Sequence, residues 1–218
     1  MKIKICGMKY PGNILETSTL HPDYMGFIFY PRSPRYADKL NLNILNSIPS
    51  ETKKTGVFVN ETLENILTAI HNYNLDAVQL HGSENRELCQ LIKEEASTEV
   101  IKAFSIMDKY NLKVTKDYAE VADLFLFDTK TDLYGGSGQK FNWKILYEYS
   151  GETNFLLSGG IGLDDVKAIR KLEHPKMVGV DLNSRFEIKP GLKDIEMLQQ
   201  FIEEINKPKD NEEESENE

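Results

Sequence analysis

Met1-Lys2-Ile3-Lys4-Ile5-Cys6-Gly7-Met8, at the start of the 218-residue sequence, is the stretch from which the fold is read. The alternating run Met1–Ile5 predicts a short β-strand over Lys2–Cys6. Gly7 then lets the backbone turn sharply. A thiol at the last position of a strand stands at a loop mouth, and in parallel α/β folds ligands bind outside the carboxyl ends of the strands. Taken alone, Cys6 also fits a small apolar filler, which most free cysteines are. The other strand ends reverse that preference.

Outward from this strand, strand-like and helix-like segments alternate along the chain. Strands are predicted over Lys2–Cys6, Tyr24–Phe29, Thr55–Val59, Asp76–Leu80, Val100–Phe104, Asp123–Phe127, Asn154–Leu157 and Met177–Asp181. Each is short and rich in Val, Ile, Leu and Phe, as suits strands buried on both faces of a parallel sheet. Apolar residues recur at helical spacing over Glu61–Tyr73, Glu84–Glu95, Leu163–Leu172 and Leu192–Ile205. Tyr10–Tyr24 contains Pro11, Gly12 and Pro22 and predicts a short or irregular helix. Tyr30–Lys39, with its prolines, and the glycine-rich Thr129–Gln139 read as loops. Eight β-then-α units without a break in composition point to a single-domain α/β fold, a (β/α)8 barrel over residues 1–206. An open doubly wound sheet would use a similar pattern.

Composition narrows the function classes. Hydrophobic residues make up 40% and charged residues 28%, the balance of a globular chain. No apolar run is long enough to span a bilayer, and no membrane partner is expected. The lysine-alternating first strand stands where a signal peptide would need a continuous apolar segment, so export is not expected. Two cysteines, one at a strand end and one (Cys89) within a predicted helix, do not form a disulfide framework, and a reducing cytoplasm is the expected compartment. Much of the net charge of −9 lies in Lys207–Glu218, too acidic to pack and expected to be a disordered, solubilising tail. An acidic chain without basic stripes argues against nucleic acid. The oligomeric state is left as monomer or homodimer.

In a barrel the residues ending the strands form one constellation at the C-terminal rim. Strand one supplies Cys6. Strand two leads into Tyr30-Pro31-Arg32-Ser33-Pro34-Arg35-Tyr36, a stiff cationic loop suited to a carboxylate or phosphate, with Arg32 read as solvated. Strand four ends in Gln79-Leu80-His81-Gly82, where the imidazole faces the rim and fits either an orienting or packing histidine or a direct catalytic role. Asp128 follows strand six directly and is costly to place there unless it faces a pocket, which makes it the best carboxylate for acid–base work. Gly136, Ser137 and Gly138 can turn backbone amides toward an anion. Ser158-Gly159-Gly160 after strand seven and Asn183-Ser184 after strand eight fall where barrels commonly bind phosphate, with Asp181 at the end of strand eight as a supporting residue. A metal-ligand cluster, a Ser-His-Asp signature and a P-loop are all missing. The residues therefore suggest acid–base chemistry on a phosphorylated small molecule, with no metal and no cofactor.

Several stretches together carry a resemblance: Lys4–Met8, Gly26–Tyr36, Gly56–Asn60, Val78–Gly82, Asp128–Lys130 with Gly135–Gly138, and Leu157–Gly160. In this order they make the chain similar to the phosphoribosylanthranilate isomerases of tryptophan biosynthesis, over essentially all of residues 1–206. The resemblance implies an Amadori rearrangement of N-(5′-phosphoribosyl)anthranilate to 1-(2-carboxyphenylamino)-1-deoxyribulose 5-phosphate. It implies Cys6 as the general base at C2′ and Asp128 as the general acid at the ring oxygen. Arg35 would face the anthranilate carboxylate. Gly136–Gly138, Ser158–Gly160 and Asn183–Ser184 would form the phosphate side. These roles call for a lowered Cys6 pKa in the bound state and a raised Asp128 pKa in the closed complex.

The chain departs from the family's usual Ser-Ser-Gly after strand eight, where it carries Asn183-Ser184-Arg185. Arg185 would either add a phosphate contact or point away. The sister isomerase family of histidine biosynthesis uses aspartates at the ends of strands one and five; Cys6 and Phe104-Ser105 disfavour it. Indole-glycerol phosphate synthase is disfavoured for want of its catalytic lysines and N-terminal extension. A barrel that only binds a phosphorylated metabolite would not need the strand-end thiol and carboxylate together.

Overall fold

A computed structural model describes residues 1–129 and 142–208. Eight parallel strands pair in chain order: β1 (Lys2–Cys6), β2 (Tyr24–Ile28), β3 (Lys53–Phe58), β4 (Ala77–Leu80), β5 (Glu99–Ile106), β6 (Leu124–Thr129), β7 (Phe155–Leu157) and β8 (Met177–Leu182). β1 also pairs with β8, Lys2 opposite Gly179 and Lys4 opposite Asp181, which closes the ring and excludes the open sheet.

The two-residue period of each strand sorts its side chains between the barrel interior and the helix layer. Ile3 and Ile5, Met25 and Phe27, Val78 and Leu80, and Phe125 and Phe127 point outward into one large core under the helices. Tyr24, Ala77, Ile101, Ala103, Leu124, Leu126 and Leu156 fill the lower interior as a separate cluster. The same inward rows continue upward into polar residues. Leu124 and Leu126 lead to Asp128, Ala77 leads to Gln79 and His81, and Leu156 leads to Ser158. An apolar plug thus floors the barrel, and the next residue inward on each strand faces the mouth.

The lower rim explains three strand boundaries. Asp23, Asp76 and Asp123 each stand just before an even-numbered strand. Their carboxylates accept hydrogen bonds from Ile3 N, Lys54 N and Val100 N, each at 2.8 Å. Asp76 and Asp123, predicted inside strands, therefore act as caps on the preceding strand. Of the other predicted strand ends some are unchanged, as at β1, and the rest shift by one or two residues; β3 starts two residues early at Lys53 and β5 runs on to Ile106.

Helix starts move later than the hydrophobic period predicts because the capping residues are polar and sit inside the predicted spans. Thr62 caps α3 (Leu63–Tyr73) through Asn65 N, Asn85 caps α4 (Arg86–Ala96) through Leu88 N, and Asp194 caps α6 (Ile195–Asn206) through Met197 N. Pro11 takes the first turn of α1 (Pro11–Ser18), where its missing N–H costs nothing. Leu163–Asp165 forms a 3-10 turn leading into α5 (Val166–Lys171). Units five and six carry the 3-10 segments Asn111–Tyr118 and Trp143–Glu148, with no α-helix among their described residues. A five-residue helix, α2 (Leu42–Asn46), follows the arginine loop.

Leu192, predicted to open the last helix, instead forms β10 (Leu192–Lys193), antiparallel to β9 (Glu187–Lys189). This hairpin folds the chain after β8 back against the barrel mouth. Of the predicted acidic tail, only Lys207 and Pro208 fall within the described residues. Among the described residues no helix is long and apolar enough to cross a membrane.

Candidate active site

Ten of the residues singled out in the sequence line one pocket at the C-terminal rim: Cys6, Arg35, His81, Asp128, Ser158, Gly159, Gly160, Asp181, Asn183 and Ser184. Gly136, Ser137 and Gly138 lie outside the described residues. Arg32 is exposed and takes no part in the lining.

Cys6 ends β1 beside β2, opposite Gly26. A Cβ at residue 26 would stand 2.8 Å from Cys6 Sγ, so the glycine makes the space in which the thiol sits. Burial pushes the Cys6 thiol up, with Asp181 adding to the rise and Lys4 and Lys193 opposing it. This is the reverse of the direction called for in the bound state, and its cause is that the thiol is withdrawn from water. The other cysteine, Cys89, is fully buried in α4 and is the apolar filler.

Lys4 is a residue that the sequence reading missed. Its alternation with Ile3 and Ile5 looks like a solvated strand face, yet the side chain is fully buried inside the barrel. Lys4 Nζ donates to Asp181 Oδ1 at 2.7 Å, and Ser158 Oγ donates to Asp181 Oδ2 at 2.9 Å. Burial draws the Lys4 ammonium down, but Asp181 and Cys6 outweigh it and hold the pKa above its ordinary value. A permanent cation therefore stands beside the thiol. Asp181, with both oxygens engaged, anchors Ser158 rather than serving as a free base.

Asp128 faces His81, whose Nε2 lies 3.2 Å from Asp128 Oδ2. Gln79 Nε2 lies 2.7 Å from His81 Nδ1. With the amide nitrogen as donor, Nδ1 accepts and the ring proton sits on Nε2, toward Asp128. Gln79 Oε1 is buried without a hydrogen-bond partner among the described residues. Turning the amide over would offer that oxygen to a proton on Nδ1 and free Nε2 to accept from a protonated Asp128. The loop carrying His81 is held from behind by Glu84, which accepts from Asn60 N and Gly82 N and pairs with buried Lys102 at 2.9 Å.

The expected anion side is formed by Ser158-Gly159-Gly160 and Asn183-Ser184. Gly159 and Gly160 have φ of 94° and 63°, a left-handed pair that favours glycine and turns successive peptide groups outward. Arg185 points away from the pocket. Its guanidinium pairs with Asp164 at 3.0 Å and reaches the Gly160 carbonyl at 3.4 Å, tying the loop after β8 to the loop after β7. Its backbone lies in a 3-10 turn, Ser184–Phe186, where no glycine is required.

Arg35 is buried and pairs with Glu187 of β9, Nε at 2.9 Å from Oε1 and Nη2 at 2.6 Å from Oε2. Lys193 of β10 joins the same carboxylate at 2.8 Å. Burial works to raise the Glu187 pKa, but the hydrogen bond from Arg35 and the Lys193 ammonium hold it below the ordinary range. A carboxyl depressed on folding adds stability above its unfolded pKa and loses it as pH falls through the folded value. Glu187→Gln is thus expected to lower the melting temperature at neutral pH. Its deficit should shrink below about pH 4, as wild-type Glu187 becomes protonated too. Parallel thermal melts from pH 3 to 8 measure this.

The model of the family described as N-(5′-phosphoribosyl)anthranilate (PRA) isomerase matches residues 3–204. A curated N-(5′-phosphoribosyl)anthranilate isomerase of Parabacteroides distasonis is 46% identical over 210 residues, covering 95% of each chain. The crystal structure of the phosphoribosyl anthranilate isomerase of Thermotoga maritima superposes with a TM-score of 0.81 at 34% identity, covering 94% of this chain and 98% of the other. A phosphoribosyl anthranilate isomerase in complex with reduced 1-(o-carboxyphenylamino)-1-deoxyribulose 5-phosphate superposes at 0.80, with 31% identity and the same coverage. With a family match across the whole barrel and a relative at this identity, the chain is an isomerase and belongs to the N-(5′-phosphoribosyl)anthranilate isomerase family.

Proposed function

We propose that the protein converts N-(5′-phosphoribosyl)anthranilate to 1-(2-carboxyphenylamino)-1-deoxyribulose 5-phosphate in tryptophan biosynthesis, with Asp128 as general acid and Cys6 as general base. The observation carrying this reading is that Cys6 and Asp128 line one pocket with a buried arginine on one side and the Ser158–Gly160 loop on the other. The substrate has two anionic ends to match, a ring carboxylate for Arg35 and a phosphate for Ser158–Gly160 and Asn183–Ser184. Held at both ends, its ribose lies between the thiol and the carboxyl.

The steps balance without an external reactant. Protonated Asp128 gives its proton to the ribose ring oxygen as the C1′–O bond breaks, and the nitrogen lone pair forms the C1′=N bond of a cationic Schiff base. Cys6, as thiolate, takes the C2′ proton. The C–H electrons form C1′=C2′ and the iminium electrons return to nitrogen, giving an enolamine. The Asp128 carboxylate then takes the O2′ proton as the C2′=O bond forms, and the C1′=C2′ electrons take up the proton of the Cys6 thiol at C1′, which yields the ketone and returns both groups to their starting states. Lys4 supplies fixed positive charge beside the thiolate, and the Schiff base adds more when it forms. That added charge is the physical reason for the thiol pKa to fall in the bound state despite its elevation by burial.

Incubating purified protein with freshly generated phosphoribosylanthranilate tests the reading. Loss of anthranilate fluorescence, with a product of unchanged mass that behaves as a ketose, is the expected result. Tight binding of the phosphosugar by folded protein without conversion would instead support the binding-only barrel.

A further inference from the structure

Arg35 is not an isolated cation waiting in the pocket. Its Nε–Nη2 edge is occupied by Glu187, while Nη1 carries no hydrogen bond to any described residue. Glu187 is itself gripped from three directions: Arg35, Lys193 Nζ at 2.8 Å, and Gly191 N at 3.0 Å. Lys193 is fully buried, and its ammonium also donates to Asn183 Oδ1 at 2.8 Å. Its backbone is clamped to α1 in both directions, N to Asn13 Oδ1 at 2.7 Å and Asn13 Nδ2 to its carbonyl at 3.0 Å. Gly7 completes the arrangement. With φ of +80° and no side chain, it leaves room for Arg35 Cδ and Asn183 Oδ1, each of which a Cβ there would meet within 2.8 Å.

Two features stand out in this cluster. The guanidinium is fixed by one edge, which leaves its other edge directed by the same contacts. The charges do not balance either: two buried cations, Arg35 and Lys193, share one carboxylate. We propose that Glu187 is a positioning residue that holds the Nε–Nη2 edge of Arg35, so that the free edge receives the ring carboxylate of the substrate as the second anion of the cluster. Glu187 thereby governs selection for a carboxylate on the aromatic ring. Lys193 and Asn183 link this to the phosphate side, which fixes the span between the two anionic ends. The inference rests on the reading of the substrate given above. It differs from a purely structural role because it predicts a loss confined to ligands that bear the carboxylate.

The test compares binding of reduced 1-(o-carboxyphenylamino)-1-deoxyribulose 5-phosphate with that of its counterpart lacking the ring carboxylate, in wild type, Glu187→Gln and Glu187→Asp. Gln keeps the shape and loses the charge. Asp keeps the charge but retracts it by about 1.5 Å, one carbon–carbon bond. Wild type is expected to prefer the carboxylated ligand by about tenfold or more, the value of a charge-assisted pair. Both variants should narrow that preference to about threefold or less. In turnover the loss should appear chiefly in KM, the signature of binding lost equally in ground and transition states. A folded variant of either kind with the wild-type preference overturns the proposal, as does equal weakening of both ligands, which marks a general structural role. Failure of the wild type to turn over phosphoribosylanthranilate would overturn the substrate reading instead.

Discussion

Replacing Cys6 with serine is expected to lower kcat by about 10²–10⁴-fold, the range of general acid–base catalysis, with little change in the affinity for a product analogue. The two side chains are close in size, and Gly26 leaves the same space for either. The difference lies in acidity. A thiol, even pushed up by burial, becomes a thiolate near a fixed cation far more readily than an alcohol becomes an alkoxide. Lys4 would still stand beside residue 6, now next to a hydroxyl too weakly acidic for a neighbouring cation to hold ionised. Because the hydroxyl binds as the thiol does and fails only when the C2′ proton must leave, the loss should fall on kcat and kcat/KM alike. Near-normal turnover in a folded Cys6→Ser protein would place the base elsewhere in the pocket.

Asp128→Asn is expected to cost a similar factor, about 10²–10⁴, at the preceding step. The amide keeps the shape and can still meet His81, whose Nε2 lies 3.2 Å away in the wild-type site. It cannot deliver a proton to the ribose oxygen, so the ring stays closed and the Schiff base does not form. Binding again should be preserved, since neither anionic end of the substrate is assigned to Asp128. Stopped single-turnover measurements with excess enzyme separate this loss from slow product release.

Most of the barrel was legible because its strands are short runs of buried apolar residues whose ends carry the chemistry. Cys6, Asp128 and Ser158 each follow such a run, and the two-residue period aims all three at the mouth. The same period misleads at Lys4. Alternating lysines suggest a face turned to water, and only the pairing of β1 with β8 brings Asp181 opposite and turns that face inward. Glu187 and Lys193 were illegible for a different reason. Glu187 meets Arg35 across 152 positions of sequence. It does so from a two-stranded hairpin of only five paired-strand residues, too short for a periodic signal. The 3-10 segments of units five and six and the brief α2 lacked a full amphipathic stripe for the same reason, too few turns to repeat the pattern. Arg185 shows the converse. Its departure from a usual glycine matters little, because its backbone is right-handed and its side chain closes an ion pair at the edge of the site.

One thiol and one carboxyl are proposed to divide the proton transfers between them. The most direct measurement follows the decay of phosphoribosylanthranilate fluorescence with wild type, Cys6→Ser and Asp128→Asn side by side, each first shown to be folded and to bind the reduced product analogue. Rapid decay is expected in wild type, and decay slowed by about 10² or more in both variants with binding intact. Decay near the wild-type rate in either folded variant would contradict this division of the proton transfers.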